Sequence, residues 1–120
     1  IEQMRDNISF MGATFKPIDE KERKALDKVV EVFKSQDVIA CTACRYCVDG
    51  CPKQIPIPDL FACLNGKTAK RHWDYGPAYN NFVKDRGKAS DCIKCGRCEH
   101  VCPQNLPIRQ LLEKVAKEFE

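Results

Sequence analysis

Three features of the sequence predict an all-α fold with an internal pseudo-two-fold repeat. A cysteine-rich unit occurs twice, and apolar residues outside it recur at helical spacing. No segment alternates apolar and polar residues as a half-buried strand does.

Each element has its own signal. Asp19 with Glu22 three residues on, just after Pro17, reads as a capping box, and Ala25, Leu26, Val29, Val30 and Phe33 follow at helical spacing. Pro56 and Pro58 open a shorter helix expected to stop near Gly66. Tyr75, Tyr79, Phe82 and Val83 form the next stripe, which Gly87 is expected to end. Ile108, Leu111, Leu112, Val115 and Phe119 form the last, with Pro107 placed at its first turn. Residues 1–16 read as a loose lead-in, with Phe10 and Phe15 packing back on the body.

The cysteines carry the chemistry. Cys41, Cys44, Cys47 and Cys51 are spaced C-x2-C-x2-C-x3-C and followed by Pro52; Cys92, Cys95, Cys98 and Cys102 repeat the run and are followed by Pro103. This is the spacing that holds [4Fe-4S] clusters. Three cysteines at two-residue gaps wrap one cubane, and the proline after the fourth turns the chain away. Zinc is the competing reading, but tetrathiolate zinc sites pair two separated C-x2-C halves and have no use for a triple followed by Cys-Pro. The likeness continues past the ligands at an offset of 51 residues: Pro52 falls on Pro103, Ile55 on Leu106, Pro56 on Pro107, Ile57 on Ile108 and Leu60 on Leu111. The ninth cysteine, Cys63, falls opposite Lys114 and so has no counterpart. In two-cluster proteins with this run the fourth cysteine serves the other cluster. The expected sets are therefore Cys41, Cys44, Cys47 and Cys102 for the first cluster, and Cys92, Cys95, Cys98 and Cys51 for the second; the alternative is that each run closes its own cluster.

Composition agrees. Among 120 residues, Leu, Ile, Val and Phe number 28, a thin supply for an ordinary core, and a small domain of this kind needs staples. No stretch approaches 18 apolar residues, so no membrane span is expected, and no secretory signal is visible. The formal charge of +3 is weak, and the cations are scattered among 17 acids, which makes nucleic acid a poor partner. Eight ligand thiolates outweigh two cluster cores at roughly +2 each, so the loaded chain falls to about −1. Free thiols in this number indicate a reducing compartment, read as cytoplasmic. The architecture expected is a helical ferredoxin of four or five short helices around two [4Fe-4S] clusters, spanning 17–120, which passes single electrons.

The words FKPIDEKE, IACTACRYCVDGCPKQIPIPDLF and ASDCIKCGRCEHVCPQNLPIRQLLEKV cover roughly 100 residues and include many non-ligand positions. This stretch resembles the C-terminal dicluster ferredoxin region of the iron–sulfur aldo/keto reductase family. The resemblance implies a preceding (β/α)8 barrel as redox partner, with IEQMRDNISF as the join to it. That family's catalytic tetrad has no match in this chain, and Tyr46, Lys53 and His100 receive no catalytic role. A more distant likeness is to helical dicluster subunits of anaerobic reductases, of the heterodisulfide and fumarate reductase types, which implies a stand-alone or subunit role instead.

Arg45, Lys53, Lys94 and Arg97 lie in or beside the cysteine runs, where positive charge favours a reduced cluster; the alternative is an ordinary solvated surface. His100 reads as a surface residue. Trp73, Tyr75 and Tyr79 read as core or as an aromatic docking face, and Ile55 and Leu106 as core or as walls that keep water from the clusters.

Cys63 lies outside both runs and is expected to act as a small buried hydrophobe. Cys63→Ser should keep the full iron content of the reconstituted chain and Cys44→Ser should lose iron, as read by colorimetric iron analysis after anaerobic reconstitution.

Overall fold

A computed structural model describes residues 1–12, 16–35, 37–69 and 73–120. The described residues are helical and contain no strand. The chain divides into two compact units, 1–36 and 37–120.

The first unit holds α1 (Glu2–Ser9) and α2 (Glu20–Lys34). The lead-in therefore contains a helix where a loose segment was expected. Phe10 is exposed rather than packed back, and Phe15 lies outside the described residues. α2 begins where the sequence put it. The Asp19 side chain accepts from the Glu22 N–H at 2.9 Å, and the Glu22 carboxylate accepts from the Asp19 N–H at 2.8 Å. This reciprocal pair satisfies two of the four N–H groups that a helix start leaves without partners. The apolar stripe of α2 is present, but Leu26, Val29, Val30 and Phe33 are exposed and no residue of α2 is buried. Periodicity predicted the helix, and the structure leaves its apolar face exposed.

The second unit carries the repeat. It contains α3 (Tyr46–Asp49), α4 (Ile57–Thr68), α5 (Gly76–Val83), a 3-10 turn at Ala89–Asp91, α6 (Arg97–His100) and α7 (Ile108–Phe119). Over 17–120, the span for which four or five helices were expected, the described residues hold six α-helices, α2 to α7, of which α3 and α6 are single turns inside the cysteine runs. An offset of 51 residues lays α3 on α6 and α4 on α7, end to end. The two members of each pair pack against each other, as a pseudo-two-fold requires. Pro56 and Pro107 sit at the N-caps of α4 and α7, where a missing N–H costs nothing.

The core uses overlapping positions in the two halves: Ile57 and Ile108 are mates, as are Phe61 and Leu112, while Leu60 and Val115 have mates, Leu111 and Leu64, that are only partly buried. Ile57, Leu60 and Phe61 of α4 meet Ile108, Leu112 and Val115 of α7, with Ile55 and Tyr79 closing the centre. Each such large side chain contributes roughly 1.5–3 kcal/mol by burial. The Tyr79 ring stacks on Phe119 at 5.0 Å between centroids, and its hydroxyl accepts from the Ala89 N–H at 3.2 Å while donating to Glu120. Trp73, in contrast, is 72% exposed and takes no part in the core, and Phe82 is also exposed. Of α5 only Tyr79 and Val83 are buried.

Two glycines do other work than ending helices. α4 runs through Gly66 to Thr68, and Gly66 is buried because the Tyr75 ring lies on it; a Cβ there would fall 2.1 Å from the ring. α5 ends at Val83, well before Gly87. Gly87 instead lets its backbone pass against the Lys53 carbonyl, 2.3 Å from where a Cβ would stand. That contact fixes the inter-run segment against the loop that follows Cys51.

Gly87→Ala should therefore destabilise the loaded chain by about 1–3 kcal/mol, the usual cost of overpacking. Gly50→Ala, whose Cβ would meet nothing within 4 Å, should not. Thermal melts of the two variants, followed by circular dichroism, test the difference.

Candidate metal centre

Each cysteine run folds into the same two tight loops and one short helical turn. Reversed backbone makes them possible. Ala43 and Lys94 have φ of 55° and 57°, Arg45 and Gly96 of 67° and 79°, and Gln54 and Asn105 of 52° and 50°. Every left-handed residue has its repeat mate. Such reversals turn neighbouring N–H groups to one side and form a concavity suited to anionic thiolates and sulfide. Short bonds close the turn after each fourth cysteine: the Gln54 N–H donates to the Cys51 carbonyl and the Asn105 N–H to the Cys102 carbonyl, both at 3.0 Å.

Burial repeats as well. Cys44 and Cys95 are exposed, Cys47 and Cys98 are buried to the same 7%, and Cys41, Cys51, Cys92 and Cys102 are intermediate. Cys41, Cys44, Cys47 and Cys102 line one recess, whose walls are Ile57, Pro58, Phe61, Leu106 and Ile108. Arg45, Thr42 and Gln104 complete it. Three thiols thus come from one run and the fourth from the other. No carboxylate or imidazole is among these lining residues, so the donor set suits a thiolate-held iron–sulfur cluster. Among the described residues, no group of three or more His, Cys, Asp or Glu is gathered tightly about a single ion. Leu106 walls the recess, whereas its mate Ile55 is part of the central core. Cys63 is buried in α4 and is not among the residues lining the recess.

The thiols are crowded. Burial pushes Cys47 up to about 11, and the nearby Cys41, Cys44 and Cys98 push the same way. Burial, followed by Cys92, pushes Cys98 up to about 11. Both are neutral thiols at pH 7 until iron binds. Loading therefore releases their protons and strengthens as pH rises.

Side chains tether each run to the helix after it. Arg45 donates to both oxygens of Asp59 on α4, at 3.0 and 2.7 Å. In the second half the polarity is reversed: Glu99 on α6 accepts from the Arg109 backbone and side chain on α7, both at 2.9 Å. Lys94 pairs with Glu113 at 2.6 Å. These bonds hold Glu99 below its ordinary range and raise Arg45, Arg109 and Lys94. Arg45 and Lys94 are thus bound cations. Lys53, Arg97 and His100 are exposed.

The approach to each run is clamped too, by residues the sequence reading missed. The Asn65 amide receives the Ile39 N–H at 2.6 Å and donates to the Ile39 carbonyl at 2.8 Å. Ile39 lies two residues before Cys41. Its repeat mate, Ser90, is bound by Glu120 through backbone and hydroxyl. Each half is thus closed on itself, from the residue before its first cysteine to the far end of its own long helix. Glu120 sits below its ordinary range: burial opposes its charge, but the hydrogen bonds from Ser90 and Tyr79 outweigh burial.

The family model of a 4Fe-4S dicluster domain matches residues 40–107. Among curated proteins, the chain is similar to subunit alpha 1 of the acetyl-CoA decarbonylase/synthase complex from Methanosarcina barkeri. The identity is 31% over 81 residues, which cover 68% of this chain and 8% of that protein. The same subunit from Methanosarcina acetivorans is 31% identical over 81 residues, again 68% of this chain and 8% of the relative. That from Methanosarcina mazei is 29% identical over 103 residues, 86% of this chain and 10% of the relative. The chain therefore spans a tenth or less of the length of these relatives. No solved structure matches it.

Asn65→Leu should leave the partly buried Ile39 N–H and carbonyl without partners, at a cost of about 1–3 kcal/mol. The expected outcome is faster iron loss from the loaded chain under a ferrous chelator, followed by the decay of visible absorbance.

Proposed function

The chain belongs to the 4Fe-4S dicluster domain family, and we propose that it relays electrons one at a time between a donor and a redox site in a larger oxidoreductase. Bound [4Fe-4S] clusters supply the one-electron chemistry. The chain's own residues fix where they sit, keep water away and set the charge around them. We assign Cys41, Cys44, Cys47 and Cys102 to one cluster and Cys92, Cys95, Cys98 and Cys51 to the other. The observation that carries the assignment is the recess lined by the first three cysteines of one run together with the fourth of the other. The 51-residue correspondence extends it to the second set. Cys98 lies near enough to Cys47 to help push it up, and α3 packs against α6, which fits two centres held side by side.

The apolar wall of Ile57, Phe61, Leu106 and Ile108 excludes water from one side of the first centre. The Arg45 guanidinium lies at its edge, but Asp59 neutralises it, so the tether contributes position more than charge.

The host is a proposal at two levels. The resemblance over roughly 100 residues to iron–sulfur aldo/keto reductases supports a barrel-bearing oxidoreductase whose active site exchanges electrons with this domain. The similarity to subunits of a complex, each about ten times longer than the matched stretch, supports a second reading, in which the domain is one relay within a multi-subunit redox assembly. Among the described residues no helix is long and apolar enough to cross a membrane. A reducing, cytoplasmic setting is proposed from the free thiols.

Anaerobic analysis of the loaded chain should give about eight iron and eight sulfide, against about two zinc and no sulfide for a structural zinc module. Reduced-state electron paramagnetic resonance should show spin coupling between the centres. Cys102→Ser should alter the signal of the cluster held by the first run and leave that of the second; the reverse pattern would mean that each run closes its own cluster.

A further inference from the structure

The pseudo-two-fold makes the two halves each other's controls, and the two exposed edges are not alike. Each cluster loop brings one thiol to the surface, Cys44 in the first half and Cys95 in the second. Around Cys95 runs an open groove lined by Gly50, Gly96, Arg97, His100 and Val101. Its rim carries one permanent cation and one imidazole, both exposed, and Val101 is an exposed apolar contact. Among the described residues Arg97 has no ion-pair partner. The repeat mates tell the opposite story. Tyr46 stands where Arg97 does, Asp49 where His100 does, and the one cation beside Cys44 is Arg45, bound to Asp59 on both nitrogens. One edge offers uncommitted positive charge beside an exposed thiol, and the other offers none.

We propose that the groove at Cys95, rimmed by Arg97 and His100, is the docking surface for an acidic redox partner: a protein or domain that presents carboxylates around its own electron-carrying centre. Charge complementarity identifies the partner. An unpaired guanidinium attracts carboxylates over several ångströms and forms bidentate bonds with them on contact, while the glycines and Val101 allow close approach. By the count of thiolates against core charge, the centre behind Cys95 carries about −2, and Arg97 is the unpaired cation that offsets it at this rim. The proposal rests on the two-cluster reading, with Cys95 a ligand of the second centre.

The test uses the loaded, dithionite-reduced full chain and two small oxidants, ferric EDTA, which is an anionic carboxylate complex, and the cation hexaamminecobalt(III). One electron leaves the protein and reduces the oxidant metal from the +3 to the +2 state, with no bond to the protein formed or broken. Oxidation rates are read by stopped-flow absorbance. Reversing one charge at roughly 8 Å in water changes an anion's encounter about fivefold. Arg97→Glu should slow ferric EDTA about fivefold and speed the cobalt complex, both effects fading at high salt. Tyr46→Glu, at the matching place on the other edge, should move both rates less than twofold. His100→Glu gives a second reading on the same rim should Arg97→Glu fail to load. Equal or larger effects from Tyr46→Glu, or rim variants that load normally and leave the rates unchanged, would overturn the proposal. A chain that takes up no iron and sulfide would instead defeat the electron-transfer reading beneath it.

Discussion

On the proposed assignment eight thiols must be brought within bonding reach of two small inorganic bodies, and most of the second unit is shaped by the difficulty of doing so. Buried, crowded sulfur resists losing its protons, as the upward displacement of Cys47 and Cys98 shows. Without iron the arrangement is poorly supported: the core is thin, the loops are reversed, and the thiols desolvate one another. Bound iron would take the place of the protons on these thiols and turn crowding into ligation, so that binding energy would become folding energy. The order of construction follows. The long helices α4 and α7 supply a small apolar floor, and the loops stand on it with their sulfurs turned toward the recess.

The two halves reach one backbone by different side chains. Helix ends and reversed φ angles coincide at every mate, yet hardly any polar tether is shared. The Arg45–Asp59 pair of the first half is answered by Glu99–Arg109, with the charges exchanged between loop and long helix. The Asn65 clamp on Ile39 is answered by Glu120 on Ser90. The need is common to both halves: the residue ahead of the first cysteine must be held, and the loop must be tied to the helix after it. Geometry leaves the chemistry of the tie free, and that freedom allows the surfaces around the two centres to diverge.

What could be seen in the sequence was whatever depends on spacing. The cysteine runs, the Pro56 and Pro107 helix starts, the Asp19–Glu22 cap and the internal repeat are all local patterns, and the structure agrees with each. Contacts between distant residues were invisible. Asn65 looks like any polar residue on a helix until Ile39, 26 positions away, is seen lying against it. Gly66 and Gly87 looked like helix stops because glycine usually is one; both are glycine because another group, the Tyr75 ring or the Lys53 carbonyl, occupies the place of a side chain. The stripe on α2 shows the limit of periodicity. It reports that a helix has an apolar face, not what that face meets.

The reversed residues show why the cluster loops are not simply made of glycine. A left-handed conformation costs an ordinary residue roughly 1–2 kcal/mol, and five of the six reversed positions carry side chains. Glycine would relieve that strain at each. It would also remove the Arg45 and Lys94 side chains, whose ionic bonds to Asp59 and Glu113 hold the loops to the helices behind them. It would further loosen the loops when iron is absent, since glycine loses the most conformational freedom on ordering. Only Gly96 accepts the relaxed solution, and in that half the tether has moved three residues on, to Glu99. At Arg45 and Lys94 strain and tether go together, because the side chain held in the costly conformation is tied at its far end, whereas Ala43, whose methyl has no far end, is reversed without one. With glycine at position 96, the bound cation of the second loop is Lys94, held by Glu113, and Arg97 is the cation next to Cys95 that has no ion-pair partner among the described residues.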